Sequence, residues 1–591
     1  MPEKMIEFEG VSFTYSDGQH HVKAIDDLSV EIKQGEHLAV IGHNGSGKST
    51  FARLCNALEL PDKGVIYVQG LTADSMEHIY DIRKTCGMVF QNPDDQIVAS
   101  TLEEDVAFGP ENLGLSTSEI RQRVDDALSK VGLLDQATRS PLNLSGGQKQ
   151  KLSIAGILAL QPQCIILDEA TAMLDPQSSI DLMQFIIDLC KQQNLTLINI
   201  THNMEEVLLA DKVLALKDGA LLLHGTPEEI FAQADLIAKE ALRLPFHLSL
   251  FDSLAEYFTP EERAENFQET EVVELISRKI RTLPDDFHAD TKMENAKNLS
   301  TGQGKPLIEI EHLSYRYNPK SSNSHLALQD VSLEVFAGEK LLICGHTGSG
   351  KSTLIGHFNA LNRPQTGSVK VMGLSASDNA NIPEIRRSVG LVFQYPERQL
   401  FANTVREDIA FGPTRQGVSE EEIDKRIKEV QELLELSDEL LERSPFELSG
   451  GQQRRVAIAG VLSMGPEILV LDEPAAGLDP ESRESMLQLV ERLSDQGKTI
   501  VMVTHNMDDV ARLADRIVVL ARGKVLQIGT PEEIFNHAEV LAKSSLNLPQ
   551  SLHFSRALSQ SSGCSFAFYD EEEAVNCLRP YLAAAKSLSE E

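Results

Sequence analysis

One nine-residue string constrains this chain more than any other feature, because it occurs twice. GHNGSGKST at Gly42–Thr50 returns as GHTGSGKST at Gly345–Thr353, 303 residues later. Val89–Gln91 returns at Val392–Gln394 with the same offset, and Leu144–Gln148 at Leu448–Gln452 with an offset of 304. Leu167–Glu169, Thr201–Met204 and Thr226–Phe231 return as Leu471–Glu473, Thr504–Met507 and Thr530–Phe535. So steady an offset means two copies of one domain joined head to tail. The period is far longer than the ~20–50 residues of a solenoid repeat. Leu244–Pro245 matches Leu548–Pro549, so each copy carries a C-terminal extension. The expected division is a first domain over 1–235, its extension over 236–285, a polar linker over 286–305, a second domain over 306–540 and its extension over 541–591. A flexible linker of about 20 residues reaches roughly 25 Å, enough for the halves to meet face to face.

Within each copy, apolar runs alternate with helical stretches. HLAVIG (His37–Gly42), CIILDE (Cys164–Glu169) and LTLINITH (Leu195–His202) read as buried strands, each followed by a helix. That is the pattern of a parallel sheet covered on both faces. IEFEGVSFTY (Ile6–Tyr15) alternates instead and points to an added antiparallel sheet. The segment from Glu77 to Lys151 has helical spacing and reads as a helical subdomain. With 54 basic and 89 acidic residues the net charge is −35, which disfavours a dominant nucleic-acid or ribosome-binding role. No apolar run approaches the ~18–20 residues of a membrane span, and MPEKMIEFEG lacks the apolar core of a secretory signal. The seven cysteines form no CxxC, which fits a reducing cytoplasm and argues against structural zinc.

Gly42–Ser49 matches GxxxxGK[ST] between a strand and a helix. Its glycines let backbone N–H groups converge on phosphates, and the helix N-terminus adds positive potential. Lys48 reaches the β- and γ-phosphates and Ser49 ligates Mg²⁺ in this reading; Lys351 and Ser352 repeat both roles. Gly42, Asn44, Gly45, Ser46, Gly47 and Thr50 complete one cradle. Gly345, Thr347, Gly348, Ser349, Gly350 and Thr353 complete the other. Asp168 and Asp472, at strand ends, are placed to hold Mg²⁺, and the adjacent Glu169 and Glu473 to polarise the attacking water.

LSGGQ, at Leu144–Gln148 and again at Leu448–Gln452, resembles the signature motif of the ATP-binding-cassette (ABC) ATPases. The resemblance implies an α/β fold with two tandem ABC ATPase domains. Each would have a P-loop, RecA-like parallel-sheet core, an antiparallel β subdomain, a helical signature subdomain and a C-terminal extension. It implies an intramolecular head-to-tail ATPase dimer, in which the Ser449, Gly450, Gly451 and Gln452 cradle closes on ATP held by the first half. Ser145, Gly146, Gly147 and Gln148 would close on ATP held by the second. Gln91 and Gln394 match the Q-loop glutamine, which senses Mg²⁺ and water. His202 and His505 match the switch histidine, Asp175 and Asp479 the D-loop aspartate, and Tyr15 and Tyr317 the aromatic that stacks on adenine. The departures lie in the first half, where Ala170 stands for Pro474 and the D-loop reads Thr171–Asp175. No catalytic group is lost, so two hydrolytic sites are expected.

The text after each Q-loop glutamine is more specific. Gln91–Gly114 and Gln394–Gly417 share P-x-x-Q and then E-D-[VI]-A-F-G-P. This is similar to the ATPase subunits of energy-coupling factor transporters and related cobalt and nickel importers. That resemblance implies a transmembrane coupling protein and a small substrate-binding membrane protein as partners, no nucleic acid, and a peripheral place on the cytoplasmic face of the membrane. The cargo would be a vitamin or a transition-metal ion. Asp94, Asp95, Glu103, Glu104 and Asp105, with Glu397, Glu407 and Asp408, suggest an acidic groove for a partner's arginine. Tandem sugar-uptake ATPases share the duplication, but many have an altered second phosphate loop. Ribosome-associated tandem ABC proteins typically carry a longer, charged linker.

Overall fold

The computed structural model describes residues 3–16, 21–73, 75–172, 174, 176–239, 242, 244–284, 287, 305–319, 324–544 and 546–590. They form two compact units, Met1–Leu275 and Ile276–Glu591. Most of the expected linker, residues 288–304, and the expected D-loop Asp175 lie outside the described residues.

In the first unit, His37–Ile41, Cys164–Asp168 and Thr196–Ile200 are strands in which every residue is buried. Their sheet runs Ala220–Gly225, Lys212–Lys217, His37–Ile41, Thr196–Ile200, Cys164–Asp168, Cys86–Val89. The ladders are parallel except at the Ala220–Gly225 edge. The strand alternation splits each run between two cores. Leu38 and Val40 face a core with Phe8, Phe51 and Ile166, while Ala39 and Ile41 face one with Met204, Val207 and Phe231. Both faces are covered, so the runs are mostly apolar, with His37, Asp168, Thr196 and Asn199 as their buried polar members.

Lys4–Ser16, which contains the alternating segment, pairs antiparallel with His21–Lys33 and with Lys63–Val68 in a separate four-stranded sheet. The helical subdomain comprises Leu102–Asn112, Thr117–Lys130 and Gly146–Leu158. The strand Cys86–Val89 interrupts the stretch expected to be helical. Four buried residues with no polar alternation carry no readable period. The second unit repeats both sheets, and its six-stranded sheet runs Val389–Val392, Ile468–Asp472, Thr499–Val503, Lys340–Cys344, Arg516–Ala521, Lys524–Gly529.

Candidate functional site

Each phosphate-type loop leaves the C-terminal end of a central strand, where α/β sheets bind ligands. Gly47 (φ +99°) and Gly350 (φ +105°) precede the helices Lys48–Cys55 and Lys351–Phe358 in the left-handed region. A Cβ at Gly47 would lie 2.4 Å from the Ala24 carbonyl oxygen, and one at Gly350 2.6 Å from that of Ala327. No side chain caps either helix, so the first-turn N–H groups are left for an anion. Lys48 Nζ donates to the carbonyls of Gly42 (2.8 Å) and His43 (3.0 Å), and Lys351 Nζ to those of Gly345 (2.7 Å) and His346 (3.1 Å). Among the described residues Ser46 Oγ and Ser349 Oγ, buried inside the loops, have no hydrogen-bond partner. An uncapped helix start, a lysine folded over the loop and an orphaned hydroxyl fit a phosphate chain.

The acids stand opposite. Ser49 Oγ donates to Asp168 Oδ1 at 3.0 Å, and Ser352 bonds Asp472 in the same way. Burial pushes both aspartates up, Asp472 to about 6, with the Ser352 hydroxyl opposing it. A hydroxyl and a buried, partly uncompensated carboxylate fit Mg²⁺ once phosphate oxygens complete the shell. Among the described residues no cluster of His, Cys, Asp and Glu could hold a metal by itself. Gln91 Nε2 donates to Glu169 Oε2 (2.8 Å), and Gln394 Nε2 to Glu473 Oε2 (3.2 Å). His202 Nε2 lies 2.9 Å from Glu169 Oε1, and His505 Nδ1 3.3 Å from Glu473 Oε1. Burial works to raise the Glu473 carboxyl, but the His505 hydrogen bond and charge, with Lys351, leave it below its ordinary value. Glu169 (φ +52°) and Glu473 (φ +49°) adopt the left-handed conformation, unusual for a side chain of this size and typical of functional sites.

The signature residues start long helices. Ser145 caps Gly146–Leu158 in a reciprocal box with Gln148, and Ser449 caps Gly450–Leu462 with Gln452. A Cβ at Gly450 or Gly451 would meet nothing within 4 Å, so these glycines border open space. Tyr15 and Tyr317 are 36% and 41% exposed. Each packs edge-on against one aromatic, Phe13 or Tyr315, and leaves ring surface free to stack. Asp479 caps the helix Pro480–Asp495 through Ser482.

The ABC transporter family model matches residues 25–172 and again 328–476. Over 591 aligned residues the chain is 33% identical to a Caldanaerobacter subterraneus subsp. tengcongensis protein named as an ABC transporter ATP-binding protein. The alignment spans 98% of this chain and all of that protein. The chain belongs to the ABC transporter family of ATP-binding proteins. It is a tandem ABC ATPase, whose nucleotide is ATP and whose usual ion is Mg²⁺. A Bifidobacterium longum protein of the same designation is 37% identical over 86% of this chain and 64% of its own length. Among solved structures, cbiO1 from Clostridium perfringens, part of the complex cbiONQ, is 36% identical. It covers 42% of this chain and 99% of its own, with a TM-score of 0.37. ATPase domains of the ABC family pair with membrane subunits and dimerise.

Some residues of this ABC ATPase that shape the site are absent from the sequence reading. Arg454, in the second signature helix, donates to the carbonyls of Pro474 (3.2 Å), Ala476 (2.9 Å) and Gln394 (3.4 Å). Its counterpart Gln150, among the described residues, reaches only the Gln91 carbonyl (3.2 Å). In the first unit the buried Glu206 gathers Thr171, Ser179 and Asn199. The signal was Asn199, a polar residue inside the apolar run LTLINI where the second copy has Met502.

Proposed function

We propose that this chain is the ATP-hydrolysing motor of an energy-coupling factor type importer, driving uptake of a vitamin or transition-metal ion through separate membrane subunits. One observation carries the membrane-partner part. Val98 (64%) and Phe108 (53%) in the first unit, and Phe401 (59%) and Phe411 (43%) in the second, stay exposed just after the Q-loop glutamines. Single exposed apolar side chains are ordinary, but the same positions recur in both copies, 7 and 17 residues after the glutamines bonded to Glu169 and Glu473. The post-Q-loop text points the same way. Among the described residues no helix is long and apolar enough to cross a membrane, and the proposal assigns the translocation path to other chains. The expected peripheral position on the cytoplasmic face is part of this proposal.

The acids expected to receive an arginine mostly have other work. The Glu104 carboxylate accepts from the Thr101 N–H in a capping box, and the Glu407 carboxylate accepts from the Asn403 N–H. Asp105 and Asp408 hold the loops at Val98–Ala99 and Phe401–Ala402. Asp94 pairs with Lys149 and Glu103 with Arg121. Apolar contact, rather than a free acidic groove, supports docking better.

In the proposed cycle Lys48 and Lys351 bind the phosphates of the two ATP molecules. Ser49, Gln91 and Asp168, and Ser352, Gln394 and Asp472, hold Mg²⁺, which neutralises phosphate charge. Glu169 and Glu473 polarise the attacking water, and His202 and His505 contact the γ-phosphate. The signature residues of each half close on the ATP of the other half, as expected from the sequence. ATP favours the closed arrangement by its differential affinity, and phosphate loss removes it. The test is affinity purification of the tagged chain from mildly solubilised membranes. A large coupling protein with one or more small hydrophobic partners supports the reading. Ribosomal proteins, or no membrane protein, would remove the transport assignment and leave the ATPase.

A further inference from the structure

The two units hold the loop after the catalytic glutamate in different ways. A left-handed glutamate persists only where its surroundings over-determine it. Each unit supplies the same backbone support: Glu169 N–H donates to Ile200 O and Glu473 N–H to Val503 O. Beyond that they diverge. In the second unit Arg454 grips the loop through the Pro474 and Ala476 carbonyls, and Pro474 stiffens it. The first unit has Ala170 for that proline and Gln150 for that arginine, and among the described residues Gln150 makes no bond to the loop.

Glu206 fills the gap. It lies four residues after His202, in the short helix Met204–Val207, and is 3% exposed. Its Oε1 accepts from Thr171 Oγ1 (2.7 Å) and Ser179 Oγ (3.3 Å), and its Oε2 from Asn199 Nδ2 (3.0 Å). Thr171 is two residues past Glu169, Ser179 is on the helix Pro176–Gln193, and Asn199 is on the strand Thr196–Ile200 that leads to His202. One buried carboxylate thus ties the glutamate loop, the following helix and the histidine strand together. The second unit has Ala475, Arg483 and Met502 at those donor positions, and its Asp509 pairs with Arg483 at 2.6 Å. Neither Ala475 nor Met502 can donate a side-chain hydrogen bond. The carboxylate there is tied to one cation on the helix and no longer reaches the loop.

We propose that Glu206 is the positioning residue of the first unit, holding Glu169 against His202 through Thr171, as Arg454 holds Glu473 in the second. The inference rests on the roles proposed above for Glu169 and His202. The test uses the full-length chain carrying Glu473→Gln, so that turnover comes from the first site alone. Two variants are made in it: Glu206→Gln, which sets an amide donor among hydroxyl and amide donors, and Thr171→Val, which deletes only the link to the loop. Both lower kcat about ten-fold or more while the half-saturating ATP concentration stays within about two-fold, the pattern of a lost transition-state contact. Adding Gln150→Arg, the second unit's solution, restores kcat to within about three-fold of the parent. Parent-like kcat in both variants overturns the inference. So does a joint fall in kcat, ATP affinity and melting temperature that Gln150→Arg does not relieve, because Glu206 would then serve folding alone. A Glu473→Gln parent without turnover, beside an active Glu169→Gln chain, would overturn the first-site assignment together with it.

Discussion

Arg454→Gln places the first unit's residue in the second and isolates what the guanidinium contributes. Gln150 shows what a glutamine there can reach: the Q-loop carbonyl at 3.2 Å and, among the described residues, nothing on the loop after the glutamate. The substitution therefore removes the bonds to Pro474 O and Ala476 O, at 3.2 and 2.9 Å, and frees Glu397, 3.9 Å from the guanidinium. Hydrogen bonds to a charged partner contribute about 1.5–3 kcal/mol each, so the gross loss is roughly 3–6 kcal/mol. Against this, Arg454 is 7% exposed, and burial pulls its pKa below the ordinary arginine value. Relief of that desolvation offsets part of the loss and leaves a net cost of about 2–3 kcal/mol. At about 2–4 °C per kcal/mol for a unit of this class, the second unit melts roughly 4–12 °C lower. The assay is urea and thermal unfolding of the full chain, with steady-state ATPase measured in a Glu169→Gln background to read the second site. There kcat falls about ten-fold, because Glu473 loses its outer support. An unfolding midpoint within about 0.5 kcal/mol of the parent, with unchanged kcat, would refute the reasoning.

Three further outcomes are expected. Glu169→Gln and Glu473→Gln each leave single-turnover hydrolysis at the other site; full activity in one variant and none in the other would mean a single working site. His37 is 8% exposed, and burial lowers its pKa to about 4, against the pull of Asp211. The unfolded chain, with its histidine near 6.5, then binds the extra proton first, so stability falls as pH drops through that window, by about 2.5 kcal/mol at pH 4.5. His37→Val flattens this dependence in urea titrations at pH 7.5 and 4.5, and an unchanged slope would contradict the assignment. Gly350→Ala meets the Ala327 carbonyl at 2.6 Å, so nucleotide binding at the second loop, followed with a fluorescent ATP analogue, falls at least ten-fold; wild-type affinity would show that the loop yields.

The three strand runs were legible because a strand buried on both faces must be mostly apolar, and Leu38–Ile41, Cys164–Leu167 and, Asn199 apart, Leu197–Ile200 satisfy that by composition alone. The repeat made the motifs legible by giving each an internal control: Lys48 and Lys351 occupy the same point of the same strand–loop–helix unit. Cys86–Val89 was hidden, since four apolar residues between helices carry neither period nor length. The networks of Glu206 and Arg454 were hidden for another reason. All but one of their bonds join residues 20 to 60 positions apart, and only the folded sheet brings Thr171, Asn199 and Glu206 to one point. The mismatch between the copies at those positions was visible, but as substitutions without a common cause.

The order of strands also distributes compliance. His37–Ile41 and Lys340–Cys344 each have a parallel neighbour on both sides, so the phosphate-type loops spring from the stiffest lines of their sheets. Among the described residues Cys86–Val89 and Val389–Val392 are rim strands of four residues bonded on one side only, and Gln91 and Gln394 follow them after one residue. A push on the exposed aromatic segments is absorbed by bending the rim, at low cost, while the centre keeps its register. Each sheet thus acts as a cantilever clamped at the phosphate-type loop, and its free end delivers displacement to the glutamine bonded to the glutamate.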